Sequence, residues 1–164
     1  MTLPEQERER FCQVLHHSRT SLYRLAFSIT RNSSDAQEAV AEAVCRAYER
    51  YPQLREKEKL PRWLLKITAN EARRLCQRRG RTVSLDDLPT EPAIPGRETG
   101  DDTLWQAVQT LPQDQREAVV LFYYEDLPTE EIARIVGTSP GAGRVRLSRA
   151  REKLRSILKE GDYG

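Results

Sequence analysis

Apolar residues recur along this chain at the three- and four-residue spacing of α-helices, and no stretch shows sustained alternation of apolar and polar residues. Leu22, Leu25, Ala26 and Ile29, for example, lie on one helical stripe. This first helix, or pair of helices, is expected to end near Arg31. The pattern therefore predicts an all-α fold without strands.

Two further helices are predicted in the first half of the chain. Ser34 followed by Gln37 has the spacing of a capping box, which predicts a second helix that runs to about Arg50. Pro61 suits the first turn of a third helix, and Gly80 suits its end. We expect these helices to form one bundle over residues 1–80.

Residues 81–101 differ in composition from the segments on either side. They contain few large apolar residues and carry Pro89, Pro92, Pro95, Gly96 and Gly100. This composition is typical of a flexible linker. The sequence therefore predicts two small helical domains, residues 1–80 and 102–164, joined by the linker at 81–101.

The second domain is predicted to end in a helix-turn-helix. A short helix near residues 104–108 and another after Pro112 come first. Thr129 is expected to cap the next helix, Gly137 to end it, and Ser139-Pro140 to begin the last one. That last helix carries Arg144, Arg146, Arg149, Arg151, Lys153 and Arg155. In such a helix, residues near the N-terminal end can contact base edges in DNA, and the cations beyond them can contact phosphates. The alternative is a solvated basic helix with no nucleic-acid partner.

The net charge of +2 conceals a strong segregation of charge along the chain. Residues 62–81 contain seven basic residues and one acidic residue, and residues 132–159 contain eight and one. The intervening residues 82–131 contain two basic and twelve acidic residues. Two basic blocks separated by an acidic one predict two separate surfaces that face a polyanion.

Several classes of protein are disfavoured by the sequence. The apolar runs are far shorter than the roughly 20 residues of a membrane span, and the charged first ten residues are unlike a signal peptide. Three cysteines without paired spacing fit a reducing cytoplasm, which is the expected location. No catalytic site and no cofactor are expected, because no nucleophile has a base partner and no phosphate-binding glycine loop is present. Cys12 and His16 have helical spacing but lack the further ligands that a zinc site needs.

The first basic block has the chemistry for holding single-stranded DNA. Trp63 offers a surface on which a base can stack, Asn70 offers amide hydrogen bonds, and the arginines that follow can track the phosphate backbone. Two simpler interpretations stay open. Trp63 could be a core anchor at a helix start, and Asn70 could bond on the protein surface or to another helix.

In order and spacing, these motifs resemble the sigma-70 family of RNA polymerase initiation factors, in its extracytoplasmic-function group. Such proteins retain only the domains called regions 2 and 4. Residues 22–26 (LYRLA) and 32–38 (NSSDAQE) resemble the start of region 2, and residues 62–70 (RWLLKITAN) resemble its W-L-x-x-I-x-x-N signature. Region 4 is matched at Leu111-Pro112, 115–117 (QRE), 131–133 (EIA) and 148–154 (SRAREKL).

The resemblance implies a subunit that binds core RNA polymerase, at the clamp of the largest subunit and the flap of the second-largest, and directs it to promoter DNA. It implies docking by Glu38, Ala41, Glu42 and Val44. It implies melting and holding of the minus-ten element by Trp63, Lys66, Asn70, Arg73, Arg74, Arg78 and Arg79. It implies reading of the minus-thirty-five element by Ser139, Arg144, Arg146, Arg149 and Arg151, of which Arg144 and Arg146 are expected nearest the bases. An anti-sigma factor is a further expected partner.

Two runs depart from the family pattern. The docking helix typically carries an Asp, a Gln-Glu pair and a bulky apolar residue, so Ala41 and Val44 predict weaker or altered docking. In the recognition helix, residues 141–144 (GAGR) replace the usual Gly-Thr-Val-Lys, and Gly143 is expected to cost about 1 kcal/mol of helix stability relative to alanine. The alternative function is a helix-turn-helix regulator that binds duplex DNA without polymerase, or a sigma-like protein without promoter-melting activity.

Overall fold

The computed structural model describes residues 3–80 and 102–161, and in these two ranges it contains helices and turns but no strand. The predicted all-α fold is confirmed. The helices are α1 (Glu5–Thr30), α2 (Ser33–Arg50), α3 (Leu60–Arg79), α4 (Asp102–Gln109), α5 (Gln113–Tyr123), α6 (Thr129–Val136) and α7 (Pro140–Gly161). The predicted linker at 81–101 lies outside the described residues.

The first compact unit is a bundle in which α1, α2 and α3 each pack against the other two. Leu22 and Leu25 of α1 and Leu64 of α3 are fully buried in its core. The face of α2 that meets them consists of small residues, namely Ala36, Ala39, Ala43 and Ala47. Because these side chains are short, α2 can approach its neighbours closely. The opposite face of α2 is exposed.

The start of α2 differs from the predicted capping box. The cap is Asn32, whose side-chain oxygen accepts a hydrogen bond of 2.9 Å from the backbone N–H of Asp35. The preceding Arg31 has a left-handed backbone with φ of 52°, which ends α1 and turns the chain into an extended Asn32. The capping box of Ser34 and Gln37 was therefore wrong, because the turn places the cap two residues earlier.

The loop between α2 and α3 is held by Tyr51, which is fully buried and packs edge-on against Phe11. Lys57 lies 4.1 Å above the centre of the Tyr51 ring and donates a hydrogen bond to the Tyr51 carbonyl. Burial raises the pKa of the Tyr51 hydroxyl, with a further rise caused by Glu7. The loop thus enters α3 in one defined geometry, with Pro61 in the first turn as predicted.

The second compact unit contains α4 to α7, and α7 contacts each of the other three helices. Its core includes Trp105, which is 1% exposed, together with Leu121 and Ile132. The predicted cap at Thr129 was wrong: Pro128 occupies the cap position, and Thr129 is the first helical residue. Proline fits there because the first N–H groups of a helix have no internal partner.

Three findings bear on the predictions about membrane spans, cysteines and metal ligands. In the described ranges, no helix is long and apolar enough to cross a membrane. Cys12, Cys45 and Cys76 are free thiols, and the first two are exposed. Neither range brings three or more metal-ligating side chains together.

Candidate nucleic-acid interface

The outward side of α3 brings together five of the residues predicted for the minus-ten element. Lys66, Asn70 and Arg74 are exposed, and Trp63 and Arg73 are partly exposed. Their spacing of three and four residues places them along one side of the helix. The opposite side carries Leu64, Thr68, Ala72 and Leu75, all buried. The helix therefore presents an aromatic ring, an amide and cations from one surface, which we call the α3 stripe.

Trp63 is part of the α3 stripe and is not a fully buried core anchor. The adjacent Leu64 is fully buried and fills the core position of this turn. In the described ranges, the tryptophan that anchors a core is Trp105 of the second unit. The part of the Trp63 side chain that remains accessible gives the α3 stripe a surface for stacking.

Asn70 lies at the centre of the α3 stripe and accepts a hydrogen bond of 3.0 Å from Arg73. This bond within one helix uses the side-chain oxygen of Asn70 and orients the amide. This is a hydrogen bond on the protein surface, which is one of the two simpler interpretations of Asn70, and it does not join two helices. The amide and a guanidinium instead lie side by side on the same surface.

The other predicted phosphate-binding arginines are engaged with carboxylates. Arg79 pairs with Asp35, which is 1% exposed, and also lies 3.0 Å from Glu38. Arg78 approaches Glu38 at 3.9 Å. Arg79 therefore compensates a buried charge at the start of α2. That Arg79 also holds a phosphate of the DNA bound at Asn70 stays a prediction.

A second ion-pair cluster joins the middle of α2 to α3. Glu71 is 5% exposed, and its Oε1 lies 2.7 Å from Nε of Arg46 and 3.0 Å from Nη1 of Arg74. Arg46 also approaches Glu42 at 3.4 Å. Because Glu71 is buried, loss of Arg46 would leave its charge poorly compensated, so this cluster joins α2 to α3.

The predicted docking residues lie on the exposed side of α2. Glu38, Ala41 and Glu42 are exposed, and Val44 is partly buried. Two of the three exposed residues also meet cations of the same unit, since Glu38 contacts the end of α3 and Glu42 contacts Arg46. The small Ala41 lies between them without a bulky side chain.

The helix-turn-helix forms as predicted between α6 and α7. Gly137 ends α6 with φ of 81°, a left-handed conformation that glycine adopts without strain. Ser139 begins α7, because its Oγ accepts a hydrogen bond of 3.2 Å from the backbone N–H of Ala142. A methyl group built on Gly143 would lie 2.9 Å from the Cβ of Ala133. Gly143, which departs from the family pattern, thus lies at the point where α7 crosses α6 closely.

The predicted arginines of α7 differ in exposure. Arg144, Arg149 and Arg151 are exposed. Arg146 is turned toward the bundle, with Nε 3.8 Å from a carboxylate oxygen of Asp114 and 21% of its side chain exposed. Arg151 lies over the ring of Phe122 at 5.2 Å, a cation–π contact. That Arg144 and Arg146 touch bases or adjacent phosphates stays a prediction, as does the phosphate-contacting or packing role of Arg149 and Arg151.

Val145 of α7 is an exposed residue that was not among those predicted from the sequence to contact DNA. Val145 is 49% exposed and adjoins Arg144. The register set by the inward Leu147, Ala150 and Leu154 would have placed it on the outward side.

Two stretches of the chain match known protein families. Residues 14–82 match the family Sigma-70 region 2, and residues 101–154 match Sigma-70, region 4. RNA polymerase sigma factor SigV of Bacillus subtilis is 32% identical over 142 residues, which cover 85% of this chain and 86% of that protein. ECF RNA polymerase sigma factor SigE of Mycolicibacterium smegmatis is 30% identical over 148 residues; the match covers 84% of this chain but 57% of that longer protein.

A solved structure shares the fold. The sigma factor RpoE, in complex with the anti-sigma factor NepR from Bartonella quintana, aligns with a TM-score of 0.74 over 95% of this chain and 98% of that one. The identity is 24%, so this likeness concerns the fold alone.

Proposed function

The chain belongs to the sigma-70 family of RNA polymerase sigma factors, in the extracytoplasmic-function group, and on that premise we propose that it binds core RNA polymerase and directs it to specific promoters. The observation that carries the proposal is the match to region 2 and region 4 in order, each on its own helical unit. In each unit the matched region includes a helix with exposed cations.

The exposed side of α2 is proposed to dock on the clamp of the largest polymerase subunit. Glu38, Ala41, Glu42 and Val44 supply this surface. Replacement of Glu42 by arginine should weaken co-purification with core polymerase, because it reverses a charge in the centre of the surface. Glu49 is exposed on the same helix near its C-terminal end, so Glu49→Arg is the matched control. Equal effects of the two variants would remove Glu42 from the proposed surface.

The α3 stripe is proposed to hold a strand of the melted minus-ten element. Trp63 offers stacking, Asn70 offers an amide to an extruded base, and Lys66, Arg73 and Arg74 offer cations to phosphates. Arg79 is proposed to act only at the edge of this site, because Asp35 and Glu38 already engage it. Arg78 is 68% exposed and is proposed to contact phosphate as well.

The outward side of α7 is proposed to read the minus-thirty-five element in the major groove. Arg144 and Arg149 are exposed and can reach base edges or phosphates. Ser139, Arg146 and Arg151 are proposed to hold the helix in position, through the cap, the Asp114 pair and the Phe122 contact respectively. The flap of the second-largest subunit is the proposed polymerase partner of this unit.

Regulation by an anti-sigma factor is proposed as well. The sigma factor RpoE of similar fold was solved bound to such a partner. A protein that works with RNA polymerase acts where the polymerase is, so the proposed location is the cytoplasm. The free thiols agree with a reducing compartment.

The deciding experiment is reconstituted transcription with core polymerase and a library of templates, followed by mapping of start sites. The proposal expects transcripts that require this chain and begin at a fixed distance from a shared pair of sequence elements. The helix-turn-helix regulator is the competing function. Specific binding of duplex DNA by the isolated chain, with no chain-dependent transcript on any template, would favour that function and refute the initiation factor.

A further inference from the structure

Val145 is an apolar side chain that the fold leaves in solvent. It is 49% exposed, and within the described ranges only Tyr123 is another large apolar residue of comparable exposure. Valine forms helices less readily than alanine, and an apolar side chain that stays half exposed gains only part of the stabilisation that burial provides. The stability of the unit therefore gives little reason for valine at this position.

The surroundings of Val145 make it project from the helix. Its neighbours at spacings of three and four residues are Gly141, Ala142, Ser148 and Arg149, all exposed. Three of these four side chains are small. The isopropyl group thus stands above most of its surroundings, on the side of α7 that carries the exposed Arg144 and Arg149.

The charges beside Val145 indicate which kind of partner would complement this surface. Arg144 and Arg149 flank the apolar group, and an end nitrogen of Arg144 lies 4.0 Å from the Cβ position of Gly141, one turn toward the start of α7. Cations around a small apolar group complement DNA, whose phosphates border a groove that displays a methyl group at each thymine. Thymine is the unmodified DNA base with such a methyl group, and apolar side chains contact it.

We propose that Val145 is a specificity residue that contacts the C5-methyl group of a thymine in the duplex element read by α7. This inference rests on the proposed function, because it requires α7 to enter the major groove of a promoter. It assigns a base preference to a side chain that carries no hydrogen-bonding group. The preference would be for thymine at one position of the upstream element.

The test replaces each thymine of the upstream element, one at a time and on both strands, by deoxyuridine, which lacks only the methyl group. Holoenzyme formed from core polymerase and the full chain is bound to each duplex. At one position the parent should lose affinity about three- to fivefold, the size expected for removing one buried methyl group. Val145→Ala should bind the thymine duplex more weakly by a similar factor and show no further loss with deoxyuridine.

Two controls separate this contact from general effects. Alanine favours the helix more than valine, so Val145→Ala is expected to fold. Ser156→Ala alters an exposed residue two turns or more beyond the site and should keep the full deoxyuridine effect.

Four results would overturn the inference. The parent could be insensitive to deoxyuridine at every position, or Val145→Ala could retain the sensitivity. Val145→Ala could also lower affinity equally for all duplexes or weaken binding to core polymerase, which would assign Val145 to a protein contact. Failure of holoenzyme to bind any promoter would refute the proposed function itself and is distinguished by the absence of chain-dependent transcripts.

Discussion

Replacing Gly143 by alanine tests how closely α6 and α7 pack at their crossing point. Intrinsic helix propensity alone predicts that this change stabilises the second unit by about 1 kcal/mol. The structure predicts the opposite sign. The added Cβ would lie 2.9 Å from the Cβ and 3.4 Å from the Cα of Ala133, so the backbone of α6 would have to move.

The net effect follows from the two opposing contributions. Overpacking of a tight contact costs about 1 to 3 kcal/mol, which exceeds the gain in propensity. Gly143→Ala should therefore lower the free energy of unfolding by about 1 kcal/mol. Gly141→Ala is the matched control, because the nearest atom to its added Cβ is a flexible end nitrogen of Arg144 at 4.0 Å. This control should be neutral or stabilise by up to about 1 kcal/mol.

Urea unfolding followed by tryptophan fluorescence can measure this difference in the second unit. The chain has two tryptophans, and a Trp63→Phe background leaves Trp105, which is buried in that unit, as the reporter. Combining Gly143→Ala with Ala133→Gly should recover about 1 to 2 kcal/mol relative to additivity, because the clashing methyl group is gone. Equal stabilisation by Gly141→Ala and Gly143→Ala would refute the close crossing.

Three further predictions concern the first unit. Asn70→Ala should impair promoter opening, measured by permanganate reactivity of thymines, while core affinity stays nearly unchanged, because the residue lies on the α3 stripe and not on α2. Arg73→Ala should reduce the slope of log affinity against log salt for the promoter complex by about 0.7, the value for one phosphate contact on a single strand. Tyr51→Phe should lessen the fall in unfolding free energy above pH 10, since burial raises the pKa of this hydroxyl from its ordinary value of 10.0.

The sign of the Tyr51 effect follows from proton binding. The folded state holds the phenol proton at a pH where the unfolded chain has lost it, so the stabilisation is full below the unfolded pKa and is lost as pH rises through the folded pKa. Identical alkaline unfolding curves for parent and Tyr51→Phe would contradict the raised pKa. An unchanged salt slope would remove Arg73 from the phosphate contacts, and normal opening by Asn70→Ala would make Asn70 a structural residue.

Local signals explain why much of the fold could be predicted. Gly80 and Gly137 end α3 and α6 with positive φ, and Pro61 lies in the first turn of α3, because these residue types act on the backbone within a few positions. Which residue caps a helix was harder to predict, because several candidates lie close together in the sequence. Ser34 and Thr129 are good caps in isolation, yet the turn at Arg31 and the proline at 128 set the actual starts.

Contacts between distant segments could not be predicted in this way. Asp35 and Arg79 are separated by 44 residues, so nothing in the local pattern of α3 shows that Arg79 serves a buried carboxylate. The same holds for Arg146 and Asp114. The predicted loss of stability at Gly143 took account only of the helix propensity of α7. The reason for a glycine at this position lies in Ala133 of α6. Val145, in contrast, could have been placed outward from the helical register.

Permanganate footprinting of a cognate promoter with core polymerase and the full chain distinguishes an initiation factor from a simple DNA-binding protein. An initiation factor should give reactive thymines just upstream of the start site only when core and chain are both present, and Arg144→Ala or Asn70→Ala should weaken them. Absence of chain-dependent reactive thymines on every template, together with sequence-specific DNA binding by the chain without core, would contradict the proposed function.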